Sequence, residues 1–187
     1  MLDRTLRPRN FEEFIGQDYI KENLRIFISA AKKRREPLEH ILLYGGPGLG
    51  KTSLAYLIAQ ETGGFLRTTT GPAIEKVGDL ASILTNLESG DILFIDEAHR
   101  LNKLVEEILY PALENYKLNL IIGRGPSART LELELAPFTL IAATTRVSLL
   151  SSPLRSRFGA IFRLDYYTLQ DIKKILRRSS QLLAIPA

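Results

Sequence analysis

The segment from Gly45 to Thr52 carries glycine, glycine, lysine and threonine at the fixed positions of a phosphate-binding loop, G-x-x-x-x-G-K-[ST]. Glycines let the backbone curl so that successive N–H groups point at one anion, and a helix that follows adds the positive end of its dipole. In such a loop the ammonium of Lys51 reaches the β- and γ-phosphates, and the hydroxyl of Thr52 binds Mg²⁺. The backbone groups expected at the phosphates belong to Gly48, Gly50, Lys51, Thr52 and Ser53. The segment predicts a site for ATP or ADP with Mg²⁺, and an ordinary glycine turn is the alternative.

Two adjacent carboxylates, Asp96 and Glu97, follow the apolar run 92–95. Charges at the tip of a buried strand need a partner, because an unpaired buried charge is costly. A nucleotide with its metal supplies one: Asp96 would bind Mg²⁺ and Glu97 would act as the base that polarises the attacking water. The alternative is that both side chains are simply solvated at the end of the strand.

Composition limits the chemistry and the location. The 187 residues contain no cysteine and two histidines, which excludes disulfides, thiolate zinc sites and cysteine nucleophiles and argues against a histidine metal site. No apolar run has the length of a membrane span, and the N-terminus is charged, so we expect a cytoplasmic protein with no membrane contact. The net charge of +4 permits contact with nucleic acid without demonstrating it.

Short apolar runs alternate with segments of helical periodicity. The predicted strands are 41–44, 65–69, 92–95, 138–143 and 160–164, and the predicted helices are 18–34, 50–61, 79–87, 103–115 and 169–183. Strands separated by helices imply βαβ units with right-handed crossovers. We therefore predict an α/β fold of the P-loop NTPase kind, with a five-stranded parallel sheet flanked by helices and the ligand crevice at the ends where helices begin.

Four local signals set the expected ends of helices. Asp18 is expected to cap the first helix and Asp79 to begin the third. Pro111 should end or kink the helix that contains it. Thr168 and Asp171 have the spacing of a capping box at the start of the last helix.

The segment 118–135 breaks the alternation of strands and helices. Residues 131–135 alternate strictly between leucine and glutamate, which is typical of a half-exposed strand, and the apolar run 118–122 precedes them. The turn 123–127 contains glycine, proline and arginine. We predict an inserted antiparallel β-hairpin with a basic tip that points away from the core. Because exposed apolar residues are a liability unless covered, it is a candidate partner surface, and packing on its own domain is the alternative.

The order of motifs resembles the AAA+ ATPases and, within them, the RuvB family, the motors of bacterial Holliday-junction branch migration. The segments that carry this resemblance are 6–8, 14–17, 46–52, 93–97, 107–112, 125–129 and 143–146. Two positions depart from the family pattern: Gly46 stands where proline is usual, and Ala98 stands where isoleucine is usual. The neighbouring His99 is expected to be a packed or hydrogen-bonded neighbour of the site.

The resemblance assigns roles to further residues. Thr145 would serve as sensor 1 at the γ-phosphate. Arg157 would be an arginine finger that faces the next subunit, with Arg155 a weaker candidate, and a surface salt bridge is the alternative for Arg157.

The resemblance also assigns a base-binding set. Leu6, Arg7, Ile15 and Tyr167 would frame the adenine and ribose. For Tyr167, plain core packing is the alternative.

At the level of the whole protein, the resemblance implies an ATP-hydrolysing subunit of a homo-hexamer that encircles duplex DNA and drives junction migration in recombination and repair. The hairpin 118–135 would dock the junction-binding partner RuvA. Residues 1–166 would form the large ATPase domain and 167–187 the truncated start of a helical lid, with the main DNA-binding domain lying outside this chain. A clamp-loader-like nucleotide switch is the alternative; a protein unfoldase is less favoured because 70–78 contains no convincing aromatic pore loop.

Overall fold

The computed structural model describes residues 5–123 and 129–184, and its centre is a five-stranded parallel sheet in the order β2-β3-β6-β1-β7. The sheet strands are β1 (Ile41–Tyr44), β2 (Leu66–Thr70), β3 (Ile92–Asp96), β6 (Thr139–Thr144) and β7 (Ala160–Arg163). The helices are α1 (Asp18–Arg34), α2 (Lys51–Thr62), α3 (Val77–Thr85), α4 (Lys103–Asn115), α5 (Ser152–Arg155) and α6 (Leu169–Leu182). The predicted fold class is confirmed. Among the described residues, no helix is both long and apolar enough to cross a membrane.

Apolar side chains on both faces of the sheet explain why its strands are nearly continuous hydrophobic runs. Ile41 and Leu43 belong to a buried cluster with α1 and α2, whereas Leu42 between them belongs to the cluster with α3 and α4. Side chains alternate between the two faces of a strand, so a strand covered on both sides needs apolar residues at every position. The core therefore holds β1, and with it the start of the phosphate loop, on both sides.

The parallel register brings three chemically important strand ends to one edge. Tyr44 of β1 pairs with Thr144 of β6, and Ile95 of β3 pairs with Ala142, two residues before Thr144. The loop 45–50 and the carboxylate pair at 96–97 follow directly from these ends. The crevice lies at this edge, as the strand and helix pattern predicts.

A buried histidine anchors the opposite edge. His40 accepts the N–H of Leu140 on Nδ1 at 2.9 Å, so its proton lies on Nε2, which donates to the carbonyl of Leu113 at 3.0 Å. One neutral ring thus ties the starts of β1 and β6 to the end of α4. Burial lowers the pKa of His40, because the interior disfavours the charged form.

The start predicted for the third helix is wrong by two residues, and the cap predicted for the first helix is wrong although its bounds are right. α3 begins at Val77 rather than Asp79, because the Asp79 carboxylate accepts the N–H of Lys76 at 2.8 Å from the third helical position. α1 begins with Asp18 itself, after Gln17 in the left-handed region, and no side chain caps it. Since acidic residues are favoured at the cap and throughout the first turn, their position alone does not fix the boundary.

α4 spans Lys103–Asn115 as predicted, with Pro111 inside it, so the proline does not end the helix. The capping box of α6 is confirmed, with the Thr168 hydroxyl and the Asp171 carboxylate each accepting a backbone N–H of the other residue.

The hairpin is confirmed as a separate two-stranded antiparallel sheet of β4 (Lys117–Ile122) and β5 (Arg129–Glu134), and residues 124–128 of its basic tip lie outside the described residues. Its inner half packs on the domain: Leu118 is fully buried, and its partner Leu133 contacts the core. Farther out, Ile121 is 75% exposed and Leu131 is 41% exposed. The described outer part of the hairpin extends from the core, as predicted. The inner part packs on its own domain, as the alternative has it.

Candidate nucleotide-binding site

The phosphate loop connects β1 to α2 through glycines in the left-handed region. Gly48 has φ 74° and Gly50 has φ 92°, conformations that side chains disfavour. A Cβ at Gly50 would also lie 2.7 Å from the Phe14 ring, whereas a Cβ at Gly48 would meet nothing within 4 Å. Gly50 precedes α2, and no side chain caps this helix. The amides of its first turn therefore point at the crevice without a side-chain acceptor.

The ammonium of Lys51 lies at the mouth of this loop. Only 8% of the residue is exposed, and Nζ donates to the carbonyls of Gly45 at 2.9 Å and Gly46 at 2.6 Å. Burial lowers the pKa of Lys51, and the charge of Asp96 acts in the opposite direction. The acceptors that hold the ammonium close to the loop are thus neutral carbonyls. An anion would bind it more strongly than they do.

A cavity of about 420 Å³ brings most of the predicted phosphate-end residues together. Its lining includes Arg7, Gly48, Gly50, Lys51, Thr52, Ser53, Asp96, Glu97 and Thr145. Asp96 is half-buried, and its Oδ1 accepts the N–H of Glu97 at 2.9 Å. The Glu97 carboxylate is half-exposed and lies 3.1 Å from Arg100, an ion pair that solvent weakens. Glu97 is therefore free to exchange this partner for another.

The oxygen donors that line the cavity suit Mg²⁺. Thr52 offers a hydroxyl and Asp96 a carboxylate, and Mg²⁺ prefers hard oxygen ligands while retaining water and substrate phosphates. Over residues 5–123 and 129–184, no group of three or more acidic or histidine side chains could hold a metal ion by itself. A bound Mg²⁺ would therefore be completed by oxygens that the protein does not supply.

A buried threonine next to the predicted sensor was missed by sequence reasoning. Thr144 is 1% exposed, its Oγ1 lies 2.9 Å from Nδ1 of His99, and the same oxygen accepts the N–H of Arg146 at 2.9 Å. The expectation that His99 is a hydrogen-bonded neighbour of the site is confirmed. This bond fixes the end of β6, so that the exposed Thr145 follows at the cavity.

A second cavity, of about 400 Å³, adjoins the first and shares Gly48, Gly50 and Ser53 with it. Three of the four residues predicted for the base line it: Leu6, Ile15 and Tyr167. The fourth, Arg7, lines the phosphate cavity instead. The neighbouring Pro8 and Phe14, which were not predicted, also line the second cavity.

Tyr167 connects the second cavity to the loop. Its hydroxyl donates to the carbonyl of Leu49 at 3.1 Å, and its ring lies 3.0 Å from where a Cβ of Gly16 would stand. The ring also packs against the buried core. Tyr167 therefore has both the predicted position at the cavity and the core contact of the alternative.

One face of α6 forms the far wall of the second cavity. The residues are Ile172, Ile175, Leu176, Arg178 and Ser179. Their spacing of three and four residues places them on one side of a helix. The amphipathic pattern predicts the helix, but the groups that Arg178 contacts lie at least 165 positions away in sequence, so the pattern alone could not identify this wall.

Arg157 lies apart from both cavities, at the end of α5. Its guanidinium is 2.8 Å from the Glu114 carboxylate, and its Cζ is 4.4 Å from the centre of the Tyr110 ring. Within this chain Arg157 thus forms the salt bridge of the alternative interpretation. The neighbouring Arg155 donates to the Ser152 hydroxyl at 3.1 Å. Neither arginine lines the phosphate cavity.

Comparison with known proteins gives a consistent result. Residues 6–164 match the family described as the Holliday junction DNA helicase RuvB P-loop domain. The solved structure of the Thermotoga maritima RuvB Holliday junction branch migration motor is 50% identical, with a TM-score of 0.85, and the match covers 96% of this chain and 55% of that one. Structures of two point variants of the same Thermotoga maritima protein are each 50% identical over 96% of this chain, with TM-scores of 0.87 and 0.84. This chain spans about 55% of the length of these relatives.

Proposed function

The chain belongs to the RuvB family of P-loop Holliday-junction helicases, and from that premise we propose that it binds and hydrolyses ATP as part of a motor that drives junction migration in recombination and repair. The observation that carries the proposal is one crevice with two ends. Lys51, Asp96, Glu97 and Thr145 line its polar end, and an apolar cavity adjoins it through shared loop residues.

At the polar end, the chain's own groups neutralise and orient phosphates. The amides from Gly48 to Ser53 would bind the phosphates, and Lys51 would exchange its two carbonyl acceptors for the β- and γ-phosphates. Thr52 and Asp96 would hold Mg²⁺, which neutralises charge on the phosphate oxygens when bound. The nucleotide would be ATP before the reaction and ADP after it.

At the apolar end, the adenine and ribose would lie among Leu6, Ile15 and Tyr167, opposite the apolar face of α6. Burying a flat, largely apolar base against such side chains is favourable in proportion to the area removed from water. Arg7, whose side chain lines the polar end, would contact the phosphates or ribose rather than the base.

For hydrolysis, Glu97 would orient a water in line with the γ-phosphate, and Thr145 would contact that phosphate or the water. The Glu97–Arg100 ion pair must open for this, which is a small cost because both side chains are about half-exposed. Catalysis of this kind depends on positioning and charge rather than on covalent chemistry.

Arg157 would act in the next subunit of a homo-hexamer. Its cis contacts with Glu114 and Tyr110 hold the guanidinium at the end of α5, away from its own phosphate cavity, which supports a role in trans. An arginine supplied this way stabilises charge in the transition state, with effects of about 10³–10⁵ in rate in other systems.

The remaining proposals concern partners and organisation. The outer half of the hairpin, with Ile121 and Leu131 exposed, would dock a RuvA-like partner, and the ring would enclose duplex DNA at Holliday junctions in the cytoplasm. Residues 1–166 would form the large ATPase domain and 167–187 the start of the lid. The family match over residues 6–164 supports the first of these two assignments.

Mixing two inactive variants in the longer protein that carries this domain tests the proposal. Arg157→Ala should bind ATP without turnover, and Lys51→Ala should bind it only weakly, so a mixed ring should recover some turnover where an intact arginine faces an intact loop. Arg163→Ala, on a surface pair with Asp165, is the control and should remain active.

No recovery at any mixing ratio contradicts an arginine acting in trans. With partner and a four-way DNA junction added, turnover without strand exchange would indicate a nucleotide switch instead of a translocase.

A further inference from the structure

An ion pair closes the base end of the crevice between the two ends of the described chain. Nη2 of Arg178 lies 2.5 Å from Oε2 of Glu13, and Nη1 of the same guanidinium donates to the carbonyl of Leu6 at 2.8 Å. The other oxygen contacts of Nη2 include the carbonyl of Arg7 at 3.4 Å. One side chain of α6 thus binds three groups of the segment 6–13.

The carboxylate in this pair is itself fixed in place. Oε2 of Glu13 also accepts the N–H of Arg9 at 3.0 Å, and the N–H of Glu13 donates to Oδ1 of Asn10 at 2.8 Å. The Arg9 amide and then the Arg178 guanidinium lower the pKa of Glu13. Because Glu13 folds the segment 9–13 on itself, it offers Arg178 a rigid acceptor rather than a mobile one.

Helix α6 has few other contacts that could position it. None of its residues is buried, and Ile172 and Leu176 on the cavity face are 44% and 63% exposed. Its N-terminus is held by Tyr167 against Gly16 and the phosphate loop. Arg178 lies nine residues beyond the first residue of the helix, about 14 Å along its axis, so it is the contact that sets where the far part of the wall stands.

We infer that Arg178 and Glu13 are a positioning pair that latches α6 to the segment 6–13 and so shapes the cavity for the nucleotide base. This inference rests on the proposed function. Both side chains line the same cavity as Leu6 and Ile15, while neither lines the phosphate cavity. The latch therefore acts on the base and not on the phosphates. By reciprocity, a bound nucleotide holds the latch closed and fixes the direction in which α6 leaves the domain.

The test compares a ligand that fills both cavities with one that fills only the polar end. Calorimetry with Mg²⁺–ADP and with Mg²⁺–pyrophosphate is carried out on the unaltered chain, on Arg178→Gln, on Glu13→Gln and on the double variant. Arg177→Gln, on the neighbouring exposed residue, is the matched control. Arg178→Lys keeps the charge but loses the forked geometry.

The latch predicts that each single variant weakens ADP binding by about three- to tenfold, as expected when the binding-competent arrangement becomes a minor state. Pyrophosphate affinity should not change. The double variant should be no worse than the singles, Arg178→Lys should lie between Arg178→Gln and the unaltered chain, and Arg177→Gln should bind normally.

Unchanged ADP affinity in both single variants overturns the latch, and so does an equal loss of ADP and pyrophosphate affinity, which would indicate a general structural role. Failure of the unaltered chain to bind ADP is a different result, because it removes the proposed function itself.

Discussion

The two ends of the crevice are built in different ways. The phosphate end is carried by β1, β3 and β6, whose side chains are buried on both faces, and its lysine is 8% exposed. The base end is formed by the segment 6–15 and α6, which meet through the Arg178–Glu13 pair and the Tyr167 contacts. The first end is fixed by the core and the second by a few partly buried side chains. The proposed phosphate site is thus supported by the core, and the proposed base-binding wall by a small number of side-chain contacts.

Glu97 offers the largest effect with which to test this contrast. Glu97→Gln should leave ATP affinity close to normal but reduce turnover by about 10²–10⁴, because the amide cannot accept the proton of the attacking water. Single-turnover hydrolysis and ATP binding are measured in the longer protein that carries this domain. Arg100→Gln, which removes only the ion-pair partner, is the control. Normal turnover of Glu97→Gln would remove this residue from its role.

Lys51 should give the next largest effect, on binding rather than rate. Lys51→Ala should weaken Mg²⁺–ADP and Mg²⁺–pyrophosphate alike, by about a hundredfold, because a charge-assisted bond to phosphate is lost at the rigid end. Calorimetry gives both constants. Lys103→Ala, a lysine exposed on α4, should bind both ligands normally. A loss of affinity for ADP without a loss for pyrophosphate would contradict the placement of Lys51 at the phosphate end.

Alanine substitutions at two glycines of the loop distinguish the cost of backbone strain from the cost of a clash with Phe14. Gly50→Ala should destabilise the fold by about 2–4 kcal/mol, because its Cβ combines the left-handed strain with a 2.7 Å approach to Phe14. Gly48→Ala should cost only about 1–2 kcal/mol, since its Cβ meets nothing. Urea unfolding of both variants provides the comparison. If both variants lost the same free energy of unfolding, the packing of Phe14 against Gly50 would not hold the segment 6–15 to the loop.

The smallest effect concerns the sheet that supports the rigid end. Because burial lowers the pKa of His40, the unfolded chain binds this proton more readily than the folded one below about pH 6.5. The stabilising effect of the neutral ring is complete above the unfolded pKa and is lost as the pH falls from there toward the lower pKa of the folded state. Tm should therefore decrease between pH 7.5 and 5.5. His40→Gln should flatten this slope, and an unchanged slope would assign it to other groups.

The same contrast explains what the sequence could and could not reveal. The phosphate end is local in sequence, so a loop motif and a carboxylate pair after apolar runs predict both its residues and the sheet that brings them together. Leu6, Ile15 and Tyr167 were found only through resemblance, and Arg178 was not found, because no periodicity links residue 178 to residue 13. Thr144 was missed because it lies just after the predicted strand 138–143, and nothing in the sequence shows that its hydroxyl is buried against His99.

The start of α3 was predicted wrongly because an acidic residue is favoured at more than one position of a first turn, and Asp79 stabilises α3 from its third residue. The bounds of α4 were predicted correctly, with Pro111 inside the helix. For the hairpin, the sequence left two interpretations open: an exposed partner surface and packing on its own domain. Its alternating leucines predict an apolar face but do not show what covers each part of that face. Leu118 is covered by the domain, and Leu131 remains 41% exposed.

The join between α4 and the hairpin has a mechanical consequence. β4 begins two residues after α4 ends, and the bond from the N–H of Leu135 to the carbonyl of Tyr116 at 2.7 Å closes the ribbon at its base. Six residues of strand extend about 20 Å, so a 10° tilt of α4 would sweep the far end of the ribbon by roughly 3.5 Å. Glu114 on that helix forms an ion pair with Arg157. A ribbon joined to the helix in this way would therefore act as a lever arm that amplifies a small displacement at the arginine.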